Sequence, residues 1–141
     1  MNKIKTNTGN LFLVTALVLF MASIIFGFLS SLIYRYPEFL RGSIGLSALR
    51  PMHVTAAIFW ILLAATGAIY RSLEEFTQSN NHRLLQFLHW ILWIIALVGI
   101  YYAYSTGNFG GREYWEYPPE FAVLIGLSWG LFLVVFFLKV S

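Results

Sequence analysis

Four long apolar runs divide this chain, and the first, from Leu11 to Ile33, holds 23 residues without one charged side chain. At 1.5 Å of rise per residue about 20 residues cross a bilayer, so this run alone reaches from one face of a membrane to the other. The second covers Val54 to Tyr70 and attains spanning length when Pro51 to His53 are added; the third is Leu84 to Tyr104 and the fourth Phe121 to Leu138. With 59% hydrophobic and 11% charged residues, there is too little polar side chain to cover such runs in water. The expected fold is therefore all-α: an integral membrane protein of four transmembrane helices, about residues 10–34, 51–70, 84–105 and 119–139, forming a single unit over 1–141. Lys3 and Lys5 precede the first run as the basic end of a signal peptide would, but the apolar core exceeds the usual 7 to 15 or so residues and reads as a retained helix.

Charge and cysteine content remove several function classes. The chain has no cysteine, so it forms no disulfide, no thiolate metal site and no c-type haem attachment of its own. Its nine basic residues are scattered, which does not suit nucleic acid. An N-terminus on the cytoplasmic side puts Lys3, Lys5, Arg71, Arg83 and Lys139 inside against Arg35, Arg41, Arg50 and Arg112 outside, the orientation with the small positive-inside excess. Tyrosines and tryptophans near the ends of the runs, among them Tyr34, Tyr36, Tyr70, Trp90, Tyr102 and Tyr104, read as interfacial belts. The 71–83 link, with Glu74, Glu75, Ser79, Asn80 and Asn81, is an ordinary polar connection, and His82 within it is assigned no role.

Two stretches carry chemistry. In LRPMHVTAAIFW, Leu49 to Trp60, His53 sits where a loop enters a charge-free segment. Low dielectric drives an imidazole toward its neutral form, the form that coordinates a metal, so His53 is a candidate cofactor ligand; the competing reading is an interfacial histidine bonded to a backbone carbonyl. In the link before the fourth run, GREYWEYPP places Glu113 and Glu116 three residues apart beside Arg112 and ahead of Pro118 and Pro119. The prolines and Glu120 suit a helix start. Glu113 and Glu116 read either as oxygen ligands for a hard cation such as Ca²⁺ or as a solvated loop with an internal salt bridge.

These stretches, with FGFLSSLIYRYPEFL at the end of the first helix, resemble the N-terminal part of the catalytic subunit of haem-copper oxidases, nearest the nitric oxide reductase branch and also similar to cbb-type cytochrome c oxidase. The resemblance implies that His53 ligates the iron of haem b and that Glu113, and less directly Glu116, binds a calcium ion near the haem propionates. Arg112 and Arg50 are suited to pair with those propionates. The family's remaining iron and metal ligands lie on later helices, and three histidines in all do not supply them. Turnover by this chain alone is thus not expected.

His89 is expected to lie roughly 20 Å from His53 along the membrane normal, too far to share one haem, and reads as a packing or interfacial residue with Gln86, Trp90 and Trp93. The expected role is a haem b-binding, electron-transferring part of a nitric oxide reductase or cytochrome oxidase-type respiratory complex in a bacterial-type inner membrane. Cytochrome c or quinol would be its donor, and a larger chain its partner. Two alternatives stay open: a stand-alone homo-oligomeric haem b protein in which a second copy supplies the other ligand, and a haem-free membrane protein of interaction or assembly.

Overall fold

The computed structural model describes residues 7–40, 42, 44–77 and 82–140; Lys3, Lys5, Arg41, Ser79, Asn80 and Asn81 lie outside the described residues. The fold is all-helical, as expected: α1 (Thr8–Arg35), α2 (Leu46–Thr77), α3 (Arg83–Ser105) and α4 (Pro119–Val140), with a lone β-bridge, Arg112 to Trp115, as the only extended pairing among the described residues. All four helices are long and apolar enough to cross a membrane. Even the shortest, at 22 residues, is about 33 Å long.

Local chemistry sets the helix ends. Asn7 caps α1, its side-chain oxygen accepting from the Gly9 N–H at 2.8 Å, and Pro37 follows the last turn, where the residue before a proline leaves the helical region. At α4, Pro119 is the first helical residue, Glu120 stands in the first turn and Lys139 in the last. α2 departs from expectation. It begins at Leu46, with the Gly45 carbonyl accepting from the N–H groups of Ala48 and Leu49, so Pro51 lies inside the helix rather than at its mouth. Proline has no N–H to give the carbonyl four residues back, but its fixed φ is helical, and in the second turn that single loss does not break the helix. His53 accordingly projects from formed helix and not from a loop.

Close backbone approach pairs α1 with α2. A side chain on Gly9 would stand 2.8 Å from the Gly67 carbonyl oxygen, and one on Gly67 would stand 2.8 Å from that of Gly9. Such small-residue contacts are how helices associate where lipid removes the hydrophobic drive between them. Between α3 and α4, the ring of Phe121 fills the space that Gly99 leaves. The core is aromatic: Phe12, Tyr70, His89, Trp93 and Phe132 are all buried, and Phe12, Tyr70 and Phe132 each lie within ring contact of His89. Outward, Val14, Leu17, Val18, Met21, Ile25 and Phe28 on α1 are each more than half exposed (52–64%), a surface suited to lipid and not to water.

The aromatic belt expected from sequence is only partly present. Tyr34 and Tyr102 are exposed, but Tyr70 and Tyr104 are wholly buried. The Tyr104 hydroxyl bonds Thr55 Oγ1 at 2.9 Å and that of Tyr70 bonds His89 Nδ1 at 2.7 Å. A phenol toward the end of an apolar run anchors at the surface only if its face of the helix points there; these two point at neighbouring helices with polar partners in reach, and for Tyr70 the helix continues to Thr77.

Candidate functional site

His53 occupies one end of the bundle, one turn along α2 from Arg50. Its ring is half-buried and turned toward α1, with Nδ1 2.8 Å from the Ser23 carbonyl oxygen and 3.4 Å from Ser23 Oγ. A carbonyl oxygen only accepts, so Nδ1 carries the proton and donates; the neutral ring then keeps its lone pair on Nε2. No described residue hydrogen-bonds Nε2. The two sequence readings of His53 are therefore compatible. The carbonyl bond is the kind of support that fixes the tautomer of a ligating histidine, and the donor it leaves is what iron coordinates.

Around Arg50 the structure gathers the two carboxylates. Arg50 Nη2 lies 3.5 Å from Glu113 Oε1 and 3.8 Å from Glu116 Oε1, at distances that make ion pairs and not tight hydrogen bonds. The arginine beside them in sequence, Arg112, is exposed and pairs with neither among the described residues. The reason is the turn: the Trp115 N–H donates to the Arg112 carbonyl at 3.0 Å, with Tyr114 at φ 62° and Gly111 at φ 75°. A positive φ at the third turn residue is the signature of a tight reversal. The Gly110 N–H reaches the Glu116 carbonyl and closes the loop. Ser47, Arg50, Phe109, Gly111, Arg112, Glu113 and Glu116 line a cleft of about 430 Å³. Beneath the loop, Tyr117 is buried against Phe59, and burial pushes its phenol above the ordinary tyrosine range, so it stays protonated.

No group of three His, Cys, Asp or Glu side chains suited to a metal ion occurs among the described residues. One imidazole whose Nε2 has no partner among the described residues fits a haem iron on one side only. For calcium the fit is poorer: a guanidinium already stands 3.5–3.8 Å from one oxygen of each carboxylate.

His89 lies near the other end of the bundle, fully buried, with both nitrogens engaged. Trp93 Nε1 donates to Nε2 at 3.2 Å, which requires Nε2 to be the acceptor, so Nδ1–H faces the Tyr70 hydroxyl at 2.7 Å. Tyr70 is 17 residues beyond His53 on the same helix, about 25 Å along its axis. His89 cannot share a haem with His53 in one chain.

Sequence reasoning missed Ser23, Gly27 and Tyr70. A glycine within an apolar helix signals close approach by something, and Gly27 carries that signal, but its partner is visible only in three dimensions.

Four membrane-spanning helices here bring a carbonyl-bonded imidazole within one turn of a surface arginine. Residues 7–140 match the family model described as Cytochrome C and Quinol oxidase polypeptide I. The chain belongs to that family, the haem-copper oxidase subunit I proteins, and is a multi-pass membrane protein of the oxidoreductase and electron-transport class.

Proposed function

We propose that this chain is the haem b-binding, electron-transferring part of a respiratory complex of the nitric oxide reductase type. The observation that carries the reading is His53, with Nδ1 tied to the Ser23 carbonyl at 2.8 Å and no hydrogen-bond partner on Nε2 among the described residues. Haem b, when bound, supplies one-electron redox chemistry at iron. The polypeptide's share is ligation and tuning. The Ser23 carbonyl raises the donor strength of the imidazole through Nδ1–H, and α1 and α2 keep water from the buried side of the ring. Arg50, one turn away, is placed to exchange Glu113 and Glu116 for a haem propionate, with the exposed Arg112 as a second partner. Glu113, and behind it Glu116, would then be free to hold Ca²⁺ in the same region.

Haem held by His53 would take a further ligand, and among the described residues His89 is engaged at both nitrogens and lies far from His53 along the bundle. The reading therefore includes a larger partner chain with the remaining ligands, in a bacterial-type inner membrane with the N-terminus of this chain cytoplasmic. Cytochrome c or quinol is the donor. The nitric oxide branch is favoured over oxygen reduction by the GREYWE segment, Gly111 to Glu116.

The test is the reduced-minus-oxidised optical spectrum of the complex, with size and mass analysis after gentle detergent extraction. His53→Ala should abolish the low-spin α-band while His89→Ala keeps it, with a larger histidine-bearing chain co-purifying. A wild-type spectrum in both variants sinks the haem reading. A haem-bearing homodimer replaces the split complex by a stand-alone carrier, and a chain without haem leaves a role in interaction or assembly.

A further inference from the structure

We infer that Gly27 is a positioning residue for His53: by lacking a side chain it lets the imidazole close on the Ser23 carbonyl, and so decides which ring nitrogen keeps the lone pair. The inference rests on the ligand reading of His53 and extends it to a residue that touches no cofactor.

Ser23 and Gly27 lie four residues apart on α1, hence on one face, and the Ser23 carbonyl is the one that the Gly27 N–H meets in the helix ladder. His53 Nδ1–H makes a second approach to that oxygen, at 2.8 Å, across the α1–α2 interface. A Cβ at position 27 would stand 2.9 Å from both Nδ1 and Cε1 of His53. Both contacts are closer than carbon tolerates against a ring atom. An alanine there must therefore turn the ring away, and the turn lengthens the hydrogen bond that fixes the tautomer. Ser23 is 6% exposed, so water does not readily replace the lost acceptor.

The effect is separable from damage to the helix. Alanine is a better helix former than glycine, so Gly27→Ala leaves α1 intact or more stable. Gly126 and Gly130 on α4 provide matched controls, because a Cβ at either meets no atom within 4 Å.

The experiment is NMR of the full chain carrying nitrogen-15 histidine and carbonyl carbon-13 serine in detergent micelles, with circular dichroism as the check on folding. Wild type should show His53 as the Nδ1–H tautomer, with a coupling to the carbonyl carbon of Ser23. Gly27→Ala should lose that coupling and move His53 toward the Nε2–H tautomer, while Gly126→Ala and Gly130→Ala leave it unchanged. In the haem-loaded complex Gly27→Ala should also shift the electron paramagnetic resonance of the ferric low-spin haem and raise its midpoint potential, because a weaker imidazole donor stabilises ferric iron less. Absence of the Ser23 coupling in wild type, or His53 signals unchanged by Gly27→Ala, overturns the inference, and neither observation depends on haem. Retention of the α-band by His53→Ala overturns the ligand reading instead, so the two failures are distinct.

Discussion

His53 and His89 stand on neighbouring helices in the same apolar surroundings, and the fold treats them in opposite ways. At the Arg50 end, His53 is half-buried and gives one nitrogen to a backbone carbonyl while the other has no protein partner among the described residues. Toward the other end, His89 is fully buried and gives Nδ1–H to Tyr70 while Nε2 takes the indole proton of Trp93. The difference lies in hydrogen bonding and not in burial alone. What matters is whether the lone pair of the neutral ring is already taken.

The comparison breaks most visibly at His53. His53→Ala should remove essentially all low-spin haem absorbance from the complex and leave the thermal unfolding of the chain nearly unchanged, since among the described residues its ring hydrogen-bonds only Ser23. His89→Ala should do the reverse. It leaves a cavity within the aromatic core and frees the Tyr70 hydroxyl and the Trp93 N–H at once. Hydrogen bonds inside membrane proteins average about 0.6 kcal/mol, so the cavity supplies the larger share of an expected loss near 3 kcal/mol. Unfolding in mixed micelles with the haem spectrum recorded alongside checks both variants, and a spectral loss in His89→Ala without destabilisation would invert the assignment.

A smaller effect probes the same end of the bundle. Gln86, one turn from His89 and wholly buried, has no partner for either amide atom among the described residues. An unpartnered buried amide costs about 1–3 kcal/mol, so Gln86→Leu should stabilise the chain by about 1 kcal/mol in the same unfolding measurement. Destabilisation of that size would mean that an internal water completes the amide's bonds. The smallest effect on stability is expected at Glu113, an exposed carboxylate whose pairing with Arg50 contributes less than about 1 kcal/mol. Glu113→Gln is instead expected to lower the calcium content of the complex by metal analysis. Unchanged calcium leaves Glu113 as a surface ion-pair partner only.

Reading the chain one residue at a time reached the helices but not their faces. Position toward the ends of the apolar runs puts Tyr70, Tyr104 and Trp90 in a belt, yet α2 runs on from Tyr70 to Thr77 and α3 begins seven residues before Trp90. Tyr104 instead bonds Thr55, Tyr70 bonds His89, and Trp90 donates to Thr15 at 3.0 Å. Arg112 was read as the companion of Glu113 because it adjoins it, whereas the turn from Arg112 to Trp115 leaves that role to Arg50, far off in sequence. Adjacency in a chain does not give adjacency of long side chains across a tight reversal.

The sequence by itself determined that this is a membrane protein with four helices of spanning length among the described residues, because runs of about twenty apolar residues suit a bilayer and each backbone must there satisfy itself as helix. It also singled out His53, since a lone imidazole in such a run is costly and therefore conspicuous. Only the tertiary structure decided what His53 is able to do. Its tautomer depends on a carbonyl thirty residues away and on a glycine whose missing side chain makes room, and pairings of that kind are set by how two helices cross.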